Sequence, residues 1–146
     1  MEQKIVTTIL PQQLRKGNCV CLESELCYVS QILWDRVEVA FVKHNEKTYR
    51  ECKYEELEAI ALTPDILLAC GFQKKDRFHF SDVFTSKEED FIINQLRGSC
   101  EISFGLKGSF AIVSNRMLPL HELQNLYYAL TGEEISLEAL PAKQPA

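Results

Sequence analysis

An α+β fold is predicted for this chain from three features of its sequence. Short runs rich in β-branched and aromatic residues recur at roughly ten-residue intervals between positions 14 and 62, with polar turns between them. A second group of extended runs lies between positions 78 and 113. Helix signals appear twice, at 64–70 and 120–131. Together these describe an N-terminal small antiparallel β-barrel or meander packed with a C-terminal antiparallel sheet and two short helices. The chain then divides into an N-terminal arm (1–13), a small β-barrel-like lobe (14–62), an α+β lobe (63–138) and a flexible tail (139–146). No Pro/Gly/Ser-rich linker separates the lobes near Leu62 and Thr63.

Each element has a local cause. Gly17-Asn18 is a turn signal, and the strand 19–22 follows it. After the polar break at Glu23-Ser24-Glu25, residues 26–33 form a second strand. Trp34-Asp35-Arg36 turns the chain into a third strand, 37–43, which places Val37, Val39 and Phe41 on one face. His44-Asn45-Glu46 breaks it, and 47–53 alternates loosely as a fourth strand. Residues 54–58 favour a turn of helix, and 59–62 could close the sheet. An SH3-like barrel is one arrangement of such strands. Thr63 suits an N-cap, Pro64 the first helical position and Gly71 the C-terminal stop, with Ile66, Leu67 and Cys70 facing the core. Phe78-His79-Phe80 and Phe91-Ile92-Ile93 read as strands flanking a charged loop at 86–90. Residues 101–104 and 109–113 suit a hairpin with Gly105 and Gly108 in its turn. In the final helix Leu120, Leu123, Leu126, Tyr127 and Leu130 fall within about 120° of arc, and Gly132 ends it.

Composition narrows the function classes. The chain has 146 residues, 46% of them hydrophobic, a net charge of −5 and a pI of about 5.3, which disfavours a broadly basic nucleic-acid binder. No apolar run approaches the ~18 residues of a membrane span, and the N-terminus lacks the apolar core of a signal peptide. A cytoplasmic location is therefore expected. In that reducing setting Cys19, Cys21, Cys27, Cys52, Cys70 and Cys100 are expected as free thiols that hold no metal. Phosphate-binding loops, the G-x-S-x-G nucleophile motif and H-E-x-x-H are absent; His121-Glu122 continues as Leu123-Gln124-Asn125. No catalytic residue, cofactor or metal ligand is assigned, and the chain is read as a non-enzyme.

Three stretches form a recognisable set: Leu14-Arg15-Lys16-Gly17-Asn18-Cys19-Val20; residues 60–72, with Leu62-Thr63 and Gly71-Phe72; and residues 121–134, His-Glu-Leu-Gln-Asn-Leu-Tyr-Tyr-Ala-Leu-Thr-Gly-Glu-Glu. In this order they resemble a family of small uncharacterised proteins encoded in Bacteroidetes genomes, often near phage or mobile-element genes. Its members typically show L-R-x-G-N-x-V at the start and H-x-L-Q-N-L-Y-x-A-L-T-G-E-E at the end. The likeness runs from Leu14 to Glu134; the sequence departs from it at Cys19 and Cys21 and between Lys74 and Met117. The resemblance implies a bacterial cytoplasmic context and an accessory role for a phage or mobile element, and it carries no activity.

The expected function is a non-catalytic binding or interaction module with a protein partner. The alternative is a nucleic-acid-binding small barrel; a homodimer fits either, and an enzyme fits least. Candidate partner-binding residues are His121, Gln124, Asn125 and Tyr128, which occupy the arc of the last helix beside its apolar stripe. The competing reading is that they satisfy buried backbone groups and hold the helix in place. Tyr28, Trp34, Tyr49 and Tyr54 are the aromatic residues whose exposure would mark a recognition surface.

Overall fold

The computed structural model describes residues 9–43, 46–75, 82–96, 99–106, 109–135 and 137. It has two antiparallel five-stranded sheets and two α-helices, so the α+β class holds. The chain divides into two compact units. One contains the described residues up to Ala61 together with Pro119–Leu126; the other contains Leu62–Leu118 and the described residues from Tyr127 onward.

In the first unit β1 (Cys19–Leu22), β2 (Glu25–Ile32), β3 (Val37–Lys43) and β4 (Glu46–Cys52) run as a meander, and β5 (Leu57–Glu58) returns beside β1. The order is β4-β3-β2-β1-β5. No pairing of β4 with β5 closes this sheet into a barrel among the described residues. Period-2 alternation sends Cys27, Val29, Val37, Val39 and Cys52 into one core with Val20, Leu22, Tyr54 and Leu57, and Phe41 packs against it. The turn between β1 and β2 is the residue pair Glu23-Ser24, both with positive φ (51° and 65°), as a tight type I′ hairpin requires. A 3-10 turn at Tyr54–Glu56 precedes β5. The closing strand therefore falls at Leu57–Glu58 rather than at the expected 59–62: the turn ends one residue before β5, and Leu57 pairs with Leu22.

In the second unit Thr63 caps α1 (Pro64–Ala69), its Oγ1 accepting from the Ile66 N–H at 3.2 Å. Gly71 ends the helix at φ +94°. Ile66, Leu67 and Phe72 are buried, whereas Cys70 is only half-buried. The sheet runs β10-β9-β8-β7-β6, built from β6 (Gln73–Lys74), β7 (Asp82–Thr85), β8 (Phe91–Leu96), β9 (Ser99–Leu106) and β10 (Ser109–Ser114). Its core holds Phe84, Phe91, Ile93 and Ile102, and Tyr127 meets Phe91 edge-on at 5.0 Å between ring centroids. Gly105, expected in a turn, lies inside β9 opposite Phe110. A Cβ there would run into the backbone of Ser109, so the close approach of the two strands explains the glycine. The expected strand at 78–80, Gly108 and the tail 139–146 lie outside the described residues.

The last helix, α2, spans Leu120–Thr131, as its periodicity predicts. Gly132 follows at φ +76° and donates its N–H to the Tyr128 carbonyl at 2.8 Å.

Candidate functional site

The polar arc of α2 is largely engaged within the chain. Gln124 is buried; its Oε1 accepts from the Cys19 N–H at 2.7 Å and its Nε2 donates to the Gly17 carbonyl at 3.4 Å. Asn125 donates from Nδ2 to the Gln13 carbonyl at 2.7 Å. Its Oδ1 accepts from Arg15 Nε at 3.1 Å and from Asn18 Nδ2 at 2.9 Å. Asn18 is itself buried, and its Oδ1 accepts from the Arg15 N–H. Gly17, at φ +97°, donates to the Val29 carbonyl at 2.8 Å. The opening L-R-x-G-N stretch and the Q-N of the final helix are thus one hydrogen-bonded knot. Its residue types follow from geometry: a glycine for the left-handed backbone, a small amide to cap the turn, and two amides that can donate and accept together.

The other two candidates differ. His121 is 1% exposed, and neither ring nitrogen has a hydrogen-bond partner. Burial pushes its pKa below the usual 6.5, a shift that Glu122 only partly opposes. It is therefore a neutral core imidazole. Tyr128 is exposed. The structure brings Gln124 and Asn125 together on the segment 13–19, and His121 makes no hydrogen bond to it.

Five of the six thiols are held in the unreactive form. All six cysteines are free. Burial is the main cause that raises Cys21 to about 11 and Cys27 and Cys70 to about 12, and it also raises Cys52 and Cys100. Cys70 lines a hollow of about 660 Å³ in the second unit with Phe72, Lys87 and Tyr127. A thiol there stays protonated at neutral pH, the wrong direction for a nucleophile. Among the described residues no group of three or more metal-ligating side chains comes together, and no helix is long and apolar enough to cross a membrane.

The outer face of the first sheet has a different character. Cross-strand register places Tyr28, Ala40 and Tyr49 in one row across β2, β3 and β4. They line a shallow groove of about 700 Å³ with Lys16, Ser30, Glu38, Val42 and Lys47. Ala40 is only 7% exposed although it faces away from the core, as expected for a small floor residue between two tyrosines. A bulge at Ser30 shifts the register of β2 against β3, fixed by Ser30 Oγ donating to the Glu38 carbonyl and carboxylate at 3.0 and 2.8 Å.

At the end of the same strand pair stands Trp34, the chain's single tryptophan, 98% exposed. Its turn is not loose. The Leu33 N–H donates to the Arg36 carbonyl at 2.9 Å, and the buried Tyr54 donates its hydroxyl to the Leu33 carbonyl at 2.7 Å. Of the four aromatic candidates, Trp34 and Tyr49 are exposed, Tyr28 is half-buried, and Tyr54 is a core anchor. Strand alternation alone could have assigned Tyr49 and Ala40 to the outer face. Nothing in the sequence distinguished Trp34 from a core tryptophan.

Comparison with protein-family models, with curated proteins and with solved structures finds no match.

Proposed function

We propose that the chain is a non-catalytic interaction module that recognises a protein partner through the outer side of its first sheet. One observation carries this reading: an almost fully exposed tryptophan on a hydrogen-bonded turn. An indole presents about 150–250 Å² of surface, most of it apolar, and tryptophans buried at interface centres typically contribute 2 kcal/mol or more to binding. A pinned turn loses little freedom when it docks, which favours affinity. Tyr49 on β4 and Val42 on β3 are further exposed apolar side chains of that sheet. The five thiols held protonated and the neutral, buried His121 support a non-catalytic role.

The β4-β3-β2-β1-β5 order, with a 3-10 turn before the last strand, supports an SH3-like small barrel as the parent fold, by analogy of topology. An accessory role for a phage or mobile element rests on the family resemblance, and a cytoplasmic location on the same context. A second reading is single-stranded nucleic acid stacked on Tyr28 and Tyr49, favoured by Lys16 and Lys47 in the same groove.

Affinity capture from the native cell, with nucleic acid retained, separates these. The protein reading expects a partner that resists nuclease, is held at moderate salt, and is lost with Trp34→Ala. The nucleic-acid reading expects nuclease sensitivity and a steep fall of binding with salt. A captured partner indifferent to both Trp34→Ala and Tyr49→Ala contradicts the assignment of this face.

A further inference from the structure

Sheet edges expose unpaired backbone groups, and proteins blunt them with short strands, charge, proline or bulges. The four sheet edges among the described residues are treated unequally. β5 and β6 have two residues each. β4 is long but carries Glu46, Lys47, Arg50 and Glu51. β10 is six residues, Ser-Phe-Ala-Ile-Val-Ser, with no charge and no proline. Phe110, Val113 and above all Ile112, at 61%, are exposed along it, with Met117 just beyond. Its one protective device is a bulge between Ile112 and Ser114. Among the described residues no strand pairs with its outer side.

We infer that β10 is the contact surface of a reversible two-fold homodimer, in which two copies join their second sheets edge to edge. The order of side chains favours a second copy of the chain. With β10 set antiparallel about an axis through Ala111, Phe110 of one copy lies opposite Ile112 of the other on one face, and Ala111 lies opposite Ala111 on the other. Each aromatic ring then meets a β-branched side chain across the two strands, a stabilising cross-strand pair. No like charges oppose each other within the strand, the usual obstacle to pairing a segment with itself. A two-fold contact is isologous and closes, leaving neither β10 edge open. A ladder only about 20 Å long buries less than the roughly 1,200–2,000 Å² of a standard interface, so association depends on concentration.

Sedimentation velocity of the full chain over a wide concentration range tests this, with amide hydrogen exchange on the same samples. The expected result is a mass rising from 16.8 kDa toward twice that value, with protection of β10 amides lost on dilution. Ile112→Lys should keep the melting temperature and stay at monomer mass. A mass that stays at 16.8 kDa with unprotected β10 amides overturns the inference, even if the lysine variant fails to fold. So does a dimer that Ile112→Lys leaves intact, or growth past two copies into open-ended assemblies.

Discussion

Gln124 and Asn125 matter because each pairs backbone groups of the segment 13–19. Replacing Gln124 with leucine keeps the volume but leaves the Cys19 N–H and the Gly17 carbonyl without their partner. The expected loss is about 1–3 kcal/mol per buried group left unpaired, read as a lower denaturation midpoint with an unchanged slope. His121 behaves in the opposite way, since it has no hydrogen bond to lose. Its pKa is depressed by burial, so in the window just below 6.5 the unfolded chain binds a proton that the folded chain refuses. Its contribution is complete above pH 6.5 and falls as the pH drops below it. His121→Leu should equal or exceed the parent in stability at neutral pH and flatten the decline between pH 6.5 and 5. Urea titrations across that range check both points; a steeper decline in the variant would contradict the neutral-imidazole account.

At the scale of elements, legibility followed the strength of local signals. β1 to β3, α1 and α2 were readable because alternation, a Thr-Pro start or a glycine stop marks each of them in the sequence. β6 and β7 were not. Gln73-Lys74 has no apolar pattern of its own, and its extended form depends on pairing with Phe84 and Thr85. Gly105 was misplaced because a glycine needed for close strand approach has the same letter as one in a turn. The β1–β2 turn yields a further prediction. Glu23 and Ser24 adopt the left-handed region without glycine or asparagine, at a cost of roughly 1–2 kcal/mol per residue. Ser24→Gly should therefore raise stability by about 0.5–1 kcal/mol, after the added chain entropy of glycine is subtracted. Thermal unfolding reads this directly, and no gain would mean that the turn is already relaxed.

For the molecule as a whole, the polar residues that the sequence marked and the surface that the structure exposes are different sets. Conspicuous motif residues such as Gly17, Asn18, Gln124 and Asn125 hold the chain together, whereas Trp34 and Tyr49 face outward from positions that no motif singles out. A sequence reports which amides and glycines are unusual; it does not report which aromatic side chains the fold leaves uncovered. Exposure is a tertiary property, decided here by the register of β2, β3 and β4 and by the Tyr54 anchor under the turn. The central claim is that Trp34 is a pre-organised contact residue. Because it is the only tryptophan, its fluorescence reports on that turn alone. In the free chain the emission should be that of a solvated indole and fully open to acrylamide quenching. On addition of the captured partner it should shift to shorter wavelength and become protected. A partner that binds while emission and quenching stay unchanged would contradict the claim.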